Sequence, residues 1–178
     1  ESLCAETSFV FDYSLDEASH DPTVVPASSV YRCREVVSQA YSPFERSSDY
    51  AVVKLDRPVV GHLPLQIRRS GTVGVGNQLT VIGHPTTLPT KIAGGAAVRD
   101  ASPEAYFFAN LDTYGGNSGS AVFNNQSGHV EGILVRGETD FIQDASGCTK
   151  SNRCTNDGCS GEEVNRIRDV LNFVPPIN

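Results

Sequence analysis

Short β-type runs, each cut off by turn-forming residues, recur along this chain and set the limits on its fold. Ser8–Tyr13, Val30–Val37, Tyr50–Leu55, Leu79–Gly83, Lys91–Val98, Ala105–Leu111, Ser120–Phe123 and Val130–Arg136 are rich in Val, Ile, Phe and Tyr. Gly, Pro, Asn, Ser and Asp separate them. That rhythm suits a β-barrel or sandwich and disfavours βαβ units. A single helix is predicted from Glu162, where Val164, Ile167, Val170, Leu171 and Val174 recur at gaps of three and four. Ser160 or Gly161 would cap it, Glu162 and Glu163 would sit on the positive end of its dipole, and Pro175 would stop it.

Composition narrows the partners. The formal net charge of −7 argues against nucleic acid, which needs a basic face. No apolar run approaches the roughly 20 residues that span a bilayer, so no membrane partner is expected. The sequence contains no methionine, so Glu1 is expected to arise from processing, autolysis or design rather than to follow a retained initiator. The five cysteines, Cys4, Cys33, Cys148, Cys154 and Cys159, include a cluster of three that lacks both a CxxC pair and a histidine. Disulfides in an oxidising, extracytoplasmic compartment fit this better than zinc. The odd count leaves one cysteine free or paired outside this sequence, and the connectivity stays open.

The segment from Leu111 to Phe123 carries the sharpest chemistry: Asp112-Thr113-Tyr114-Gly115-Gly116-Asn117-Ser118-Gly119-Ser120. Glycines around a serine let the backbone turn sharply and gather N–H groups at one point, as an oxyanion hole requires. An α/β-hydrolase elbow needs G-x-S-x-G leading into a helix, whereas here Ser120 holds the last position and a strand-like run follows. Gly116-Asn117-Ser118-Gly119-Ser120 instead resembles the nucleophile motif of trypsin-like serine peptidases, with Asn117 where trypsins carry Asp. Upstream, Ser48-Asp49-Tyr50-Ala51-Val52-Val53-Lys54-Leu55 resembles the strand that carries their triad aspartate. Val130-Glu131-Gly132-Ile133-Leu134-Val135-Arg136-Gly137 resembles the strand beside their cleft. The Gly-His-Pro turn at His84 and the Asn at 117 point to the bacterial secreted branch, with glutamyl endopeptidases as cousins.

The resemblance implies an all-β fold of two antiparallel β-barrels of the chymotrypsin type, the first incomplete in this chain, with a C-terminal α-helix. Residues 1–62 would be the remainder of the first barrel, 63–160 the second barrel, and 161–178 the helix and tail. Ser118 would be the nucleophile, Asp49 the triad carboxylate, and the N–H groups of Gly116 and Ser118 the oxyanion hole. Val135, Arg136 and Gly137 would pair with the substrate backbone, with Asp112 and Thr113 at the base of the primary pocket. Asp112, six residues before Ser118, implies selection of Arg or Lys, and Leu134 stands where a Glu-selective cousin carries His. No metal or organic cofactor is implied. The expected partners are protein or peptide substrates.

The general base is missing from this pattern. The family order is His, Asp, Ser, with the His in an Ala-(Ala/Gly)-His-Cys type of motif, which this sequence lacks. His62, His84 and His129 follow Asp49, and His20 sits in a polar loop without family flanks. The catalytic His is therefore expected upstream of Glu1 or on a companion N-terminal fragment. The alternative is a homologue that lost it and acts as a binding module.

Overall fold

The structure, a computed structural model, describes residues 2–41 and 47–177; Glu1, where the sequence begins, lies outside them. A short helix α1 (Ser2–Glu6) opens the chain, and Cys4 in it is disulfide-bonded to Cys33. Strands β1 (Ser8–Val10), β2 (Val30–Ala40) and β3 (Tyr50–Leu55) form an antiparallel three-stranded sheet in that order. Bulges interrupt β2 between Cys33 and Glu35 and between Val36 and Ser38. The sheet buries little. Tyr31 is its one large buried side chain, held between the Phe11 ring and the Arg57 guanidinium, while Val36 and Val37 face solvent.

The core lies in the second half. Strands β4 (Gln78–Gly83), β5 (Lys91–Asp100), β6 (Tyr106–Ala109), β7 (Ala121–Asn124) and β8 (Val130–Arg136) follow one another. A hairpin of β9 (Phe141–Gln143) and β10 (Thr149–Ser151) precedes the last strand, β11 (Glu162–Arg166). The barrel closes in the order β11-β6-β5-β4-β7-β8. Its strands alternate inward and outward, as a pleated strand with one wet face must. Leu79 and Val81 of β4, Phe107 and Ala109 of β6, and Val122 of β7 point inward, joined by Ala96, Val98, Leu134 and Val164. Glu131 is also buried, and its charge is compensated. Arg68 donates to both of its oxygens from Nε and Nη2, and Asn124 donates to Oε1 at 2.8 Å.

The C-terminal helix is a correction. Residues Glu162–Arg166 form a strand, and only a 3-10 turn over Ile167–Val170 follows. The reason is pairing at both edges. Val164 lies opposite Phe107 of β6 and Leu134 of β8, so this segment closes the barrel and removes its open edges. That gain outweighs a helical spacing carried by five apolar residues. The disulfide Cys154–Cys159 lies in the loop just before this strand, and Cys148 is free and exposed.

Candidate active site

Two loops meet at the seam between the open sheet and the barrel. The first leads into β3. Its Asp49 N–H donates to Asn165 Oδ1 at 2.7 Å, and Ser48 Oγ donates to Asp169 Oδ2 at 2.6 Å. Both partners lie at the barrel-closing end of the chain, so the sheet's carboxylate is pinned to the barrel by side chains more than a hundred residues away. The second loop joins β6 to β7 and carries Ser118.

The Ser118 loop is shaped by close backbone approaches. Asn117 N–H and Nδ2 both donate to Tyr114 O, and Ser120 N–H donates to Asn117 O. Gly119 N–H donates to Leu134 O at 2.7 Å and Leu134 N–H returns to Ser120 O at 3.0 Å, which straps the loop to β8. Gly116 has φ +95°, and a Cβ there would press on the Thr86 N and His84 O atoms at 3.0 and 3.1 Å. Only glycine satisfies both limits. Gly83, at the end of β4, is required for a second reason: a Cβ would fall 2.0 Å from Ser120 Oγ. Asn117 is buried and bonded within its own loop, so it acts as the loop's internal brace.

Ser118 is exposed, and its Oγ reaches Val135 O at 3.5 Å. Among the described residues, no group accepts a hydrogen bond from the N–H of Gly116 or Ser118. Ser118 and Asp49 line one groove of about 1110 Å³, together with Gln39, Tyr41 and the β8 residues Ile133, Leu134 and Val135. The Asp49 carboxylate meets Arg136, whose Nη2 donates to Oδ2 at 3.1 Å. Arg136 Nε lies 3.5 Å from the buried Glu163 carboxylate. Arg136 is thus more than a backbone position on the cleft strand, because its side chain bridges carboxylates from β11 and from the loop before β3.

None of the four histidines meets Asp49 or Ser118. His20 pairs with Asp16 and His62 with Asp12, each at 3.3 Å. His84 bonds Leu88 O and stacks on Tyr13, and His129 donates its N–H to Ser127 Oγ.

Beside Ser118 lies a smaller cavity of about 140 Å³. Thr113, Gly137, Glu138, Asp140 and Glu162 line it with Ser118. Asp112 is exposed and borders two neighbouring cavities, one of about 530 Å³ that Glu162 also borders and one of about 200 Å³ that Thr113 and Asn117 share. Burial pushes the Glu162 carboxyl up to about 7, and the nearby Asp140 and Glu138 charges add to this. Sequence reasoning missed Glu162 and Asp140 at this place. In the sequence Glu162 reads as a helix start, and nothing in the local sequence marks Asp140, whose Oδ2 accepts the Gly115 N–H at 2.7 Å.

Comparison with known proteins agrees with this architecture. The chain matches the trypsin-like peptidase domain over residues 4–133. No curated protein sequence gives a significant match. Among solved structures it is similar to the Rv3671c protease from M. tuberculosis. The inactive form gives a TM-score of 0.53 at 20% identity, covering 81% of this chain and 66% of that one. The active form gives 0.54 at 16% identity, covering 84% and 62%. Kallikrein-related peptidase 10 gives 0.56 at 16% identity, covering 81% and 70%. The chain therefore spans about two thirds of the length of the solved proteases it matches. With the domain match covering most of the sequence and a closed β-barrel presenting Ser118 on a glycine-braced loop, the chain belongs to the trypsin-like peptidase family.

Proposed function

We propose that this chain is the Asp- and Ser-bearing part of a secreted serine endopeptidase of the bacterial branch, with a preference for Arg or Lys before the scissile bond. The observation that carries the reading is that Asp49 and Ser118, 69 positions apart in sequence, line one groove beside the β8 edge. Two disulfides fit an oxidising compartment.

In this reading Ser118 Oγ attacks the scissile carbonyl carbon. An imidazole accepts the Oγ proton, and the Gly116 and Ser118 N–H groups receive the oxyanion. The C–N bond breaks as the imidazolium gives its proton to the leaving amine, and water then hydrolyses the acyl-enzyme by the same route. Asp49 orients the imidazole and steadies its charged form. The substrate backbone adds to the edge of β8 at Val135, Arg136 and Gly137. The imidazole belongs to none of this chain's histidines, and the reading assigns it to sequence preceding Glu1 or to a companion chain. When it docks it must share or displace Arg136 at the Asp49 carboxylate. Asn117 is uncharged and braced inside its loop, so activation by a salt bridge between a new N-terminus and this position is ruled out of the scheme.

The test is hydrolysis of peptide amides by the native protein with its companion chain present. Lys and Arg substrates are expected to exceed Glu substrates by at least about a hundredfold in kcat/KM, since a pocket carboxylate attracts one charge and repels the other. Equal rates on Lys and Glu substrates would remove the specificity reading.

A further inference from the structure

We propose that Glu162, rather than Asp112, is the carboxylate that receives the basic side chain of the substrate in the cavity beside Ser118. This rests on the peptidase reading above and names the residue that sets its specificity. Position is the first argument. Glu162 and Ser118 line the same cavity of about 140 Å³, and Asp112 is not part of its wall. The Glu162 carboxylate lies directly against Gly137: a Cβ on that glycine would fall 1.7 Å from Oε2. Gly137 is therefore the opening through which the carboxylate meets whatever occupies the cavity, and any side chain there would cover it.

The second argument is what the other charges are doing. Glu138 Oε1 accepts the Ser160 N–H at 2.7 Å, and Asp140 Oδ2 accepts the Gly115 N–H at 2.7 Å. Both are held by backbone. Glu162 has the Thr113 hydroxyl and a long 3.4 Å contact from the Glu138 N–H. The arginines nearby are committed or set apart. Arg136, also on the cavity wall, pairs with Asp49 and Glu163, and Arg99 donates to Cys159 O. Arg153 lines the adjoining larger cavity with Asp112. Among the described residues, the cavity thus presents Glu138, Asp140 and Glu162 with no free cation on its wall, and a bound ammonium or guanidinium would compensate the repulsion among them. A Glu at the start of β11 can hold this place only because the segment is a strand that closes the barrel beside β8.

The consequence is a pH-dependent pocket. A cation binds the ionised Glu162, and its proton leaves near pH 7, so affinity rises as pH rises through that value. The test uses p-aminobenzamidine, whose amidinium imitates a guanidinium and whose fluorescence reports entry into a cavity. It is titrated into the native protein, and fluorophosphonate labelling of Ser118 is followed in the same preparations. Wild type is expected to bind about tenfold or more tightly at about pH 8.5 than at about pH 5.5. Glu162→Gln, isosteric with the neutral form, is expected to weaken binding at the higher pH by at least about tenfold and to flatten the pH profile. Asp112→Asn is expected to change binding by less than about threefold. Loss of binding in Asp112→Asn with retention in Glu162→Gln would overturn the assignment. Wild type that labels at Ser118 but binds no amidine at either pH would also overturn it, leaving the peptidase reading in place. Absence of both label and binding would take that reading down as well.

Discussion

Ser118→Ala is expected, on the proposed peptidase reading, to lower kcat of the native protein by at least about 10⁴-fold with little change in KM, because it would remove the attacking atom and leave the cleft intact. Asp49→Asn is expected to cost about 10⁴-fold, for a different reason. The amide cannot hold the imidazole in the tautomer that accepts the Ser118 proton, nor balance its positive form. The two effects should not add, since both act on the same proton transfer. Stability separates this from a general structural loss. The Asp49–Arg136 pair is partly solvated, so losing it should cost no more than about 1 kcal/mol. The Asp49 N–H bond to Asn165 is a backbone contact and survives the substitution. Activity and melting temperature measured on the same preparations check both points. An Asp49→Asn variant with near-normal kcat would mean that Asp49 is only the Arg136 counter-ion.

Gly132→Ala is expected to produce the largest loss of stability, about 3 kcal/mol, and to lower the melting temperature by about 6–12 °C. A Cβ at Gly132 would fall 2.1 Å from Asn165 O and 2.8 Å from Val164 Cγ1. The first is backbone, so β8 and β11 must move apart where they close the barrel. Asn165 also holds Asp49, and the same displacement reaches the candidate active site. Gly74 is the control. A Cβ there meets nothing within 4 Å, and Gly74→Ala is expected to stay within about 0.5 kcal/mol of wild type. Thermal melts of the three proteins give the comparison, and equal melting temperatures would contradict the barrel-closing role of β11.

The parts of the fold that were legible share one property: their pattern is local. Tyr50–Leu55 and Val130–Arg136 are runs rich in β-branched and apolar residues and ended by turn formers, and both strands keep those bounds in the structure. The segment Glu162–Arg166 failed the same test for a physical reason. Four of its five residues are buried, yet three of these, Glu163, Asn165 and Arg166, are polar and carry no strand signal. The groups they meet lie far away in sequence: Arg136 beside Glu163, Asp49 on Asn165, and the carbonyls of Ala101 and Pro103 on Arg166. The short strands Phe141–Gln143 and Thr149–Ser151 pair with each other as a two-stranded sheet and sit in a loop too polar to show alternation.

The site divides along the same line. Ser118 and its glycines form a local motif, because the proposed oxyanion hole would be made by consecutive residues. Asp49 was legible through its flanking strand. The contact between Asp49 and Arg136 joins segments 87 positions apart, and no spacing rule marks it. The offset of six residues before Ser118 marks Asp112, and no such offset marks Glu162, because the cavity beside Ser118 is built from three separate segments.

The measurement that bears most directly on the central claim is reaction of the native protein with a fluorophosphonate, read as intact masses under denaturing conditions. A single adduct on this chain is expected, mapped to Ser118 and absent from Ser118→Ala. Absence of any adduct, or an adduct on another residue that persists in Ser118→Ala, would contradict it.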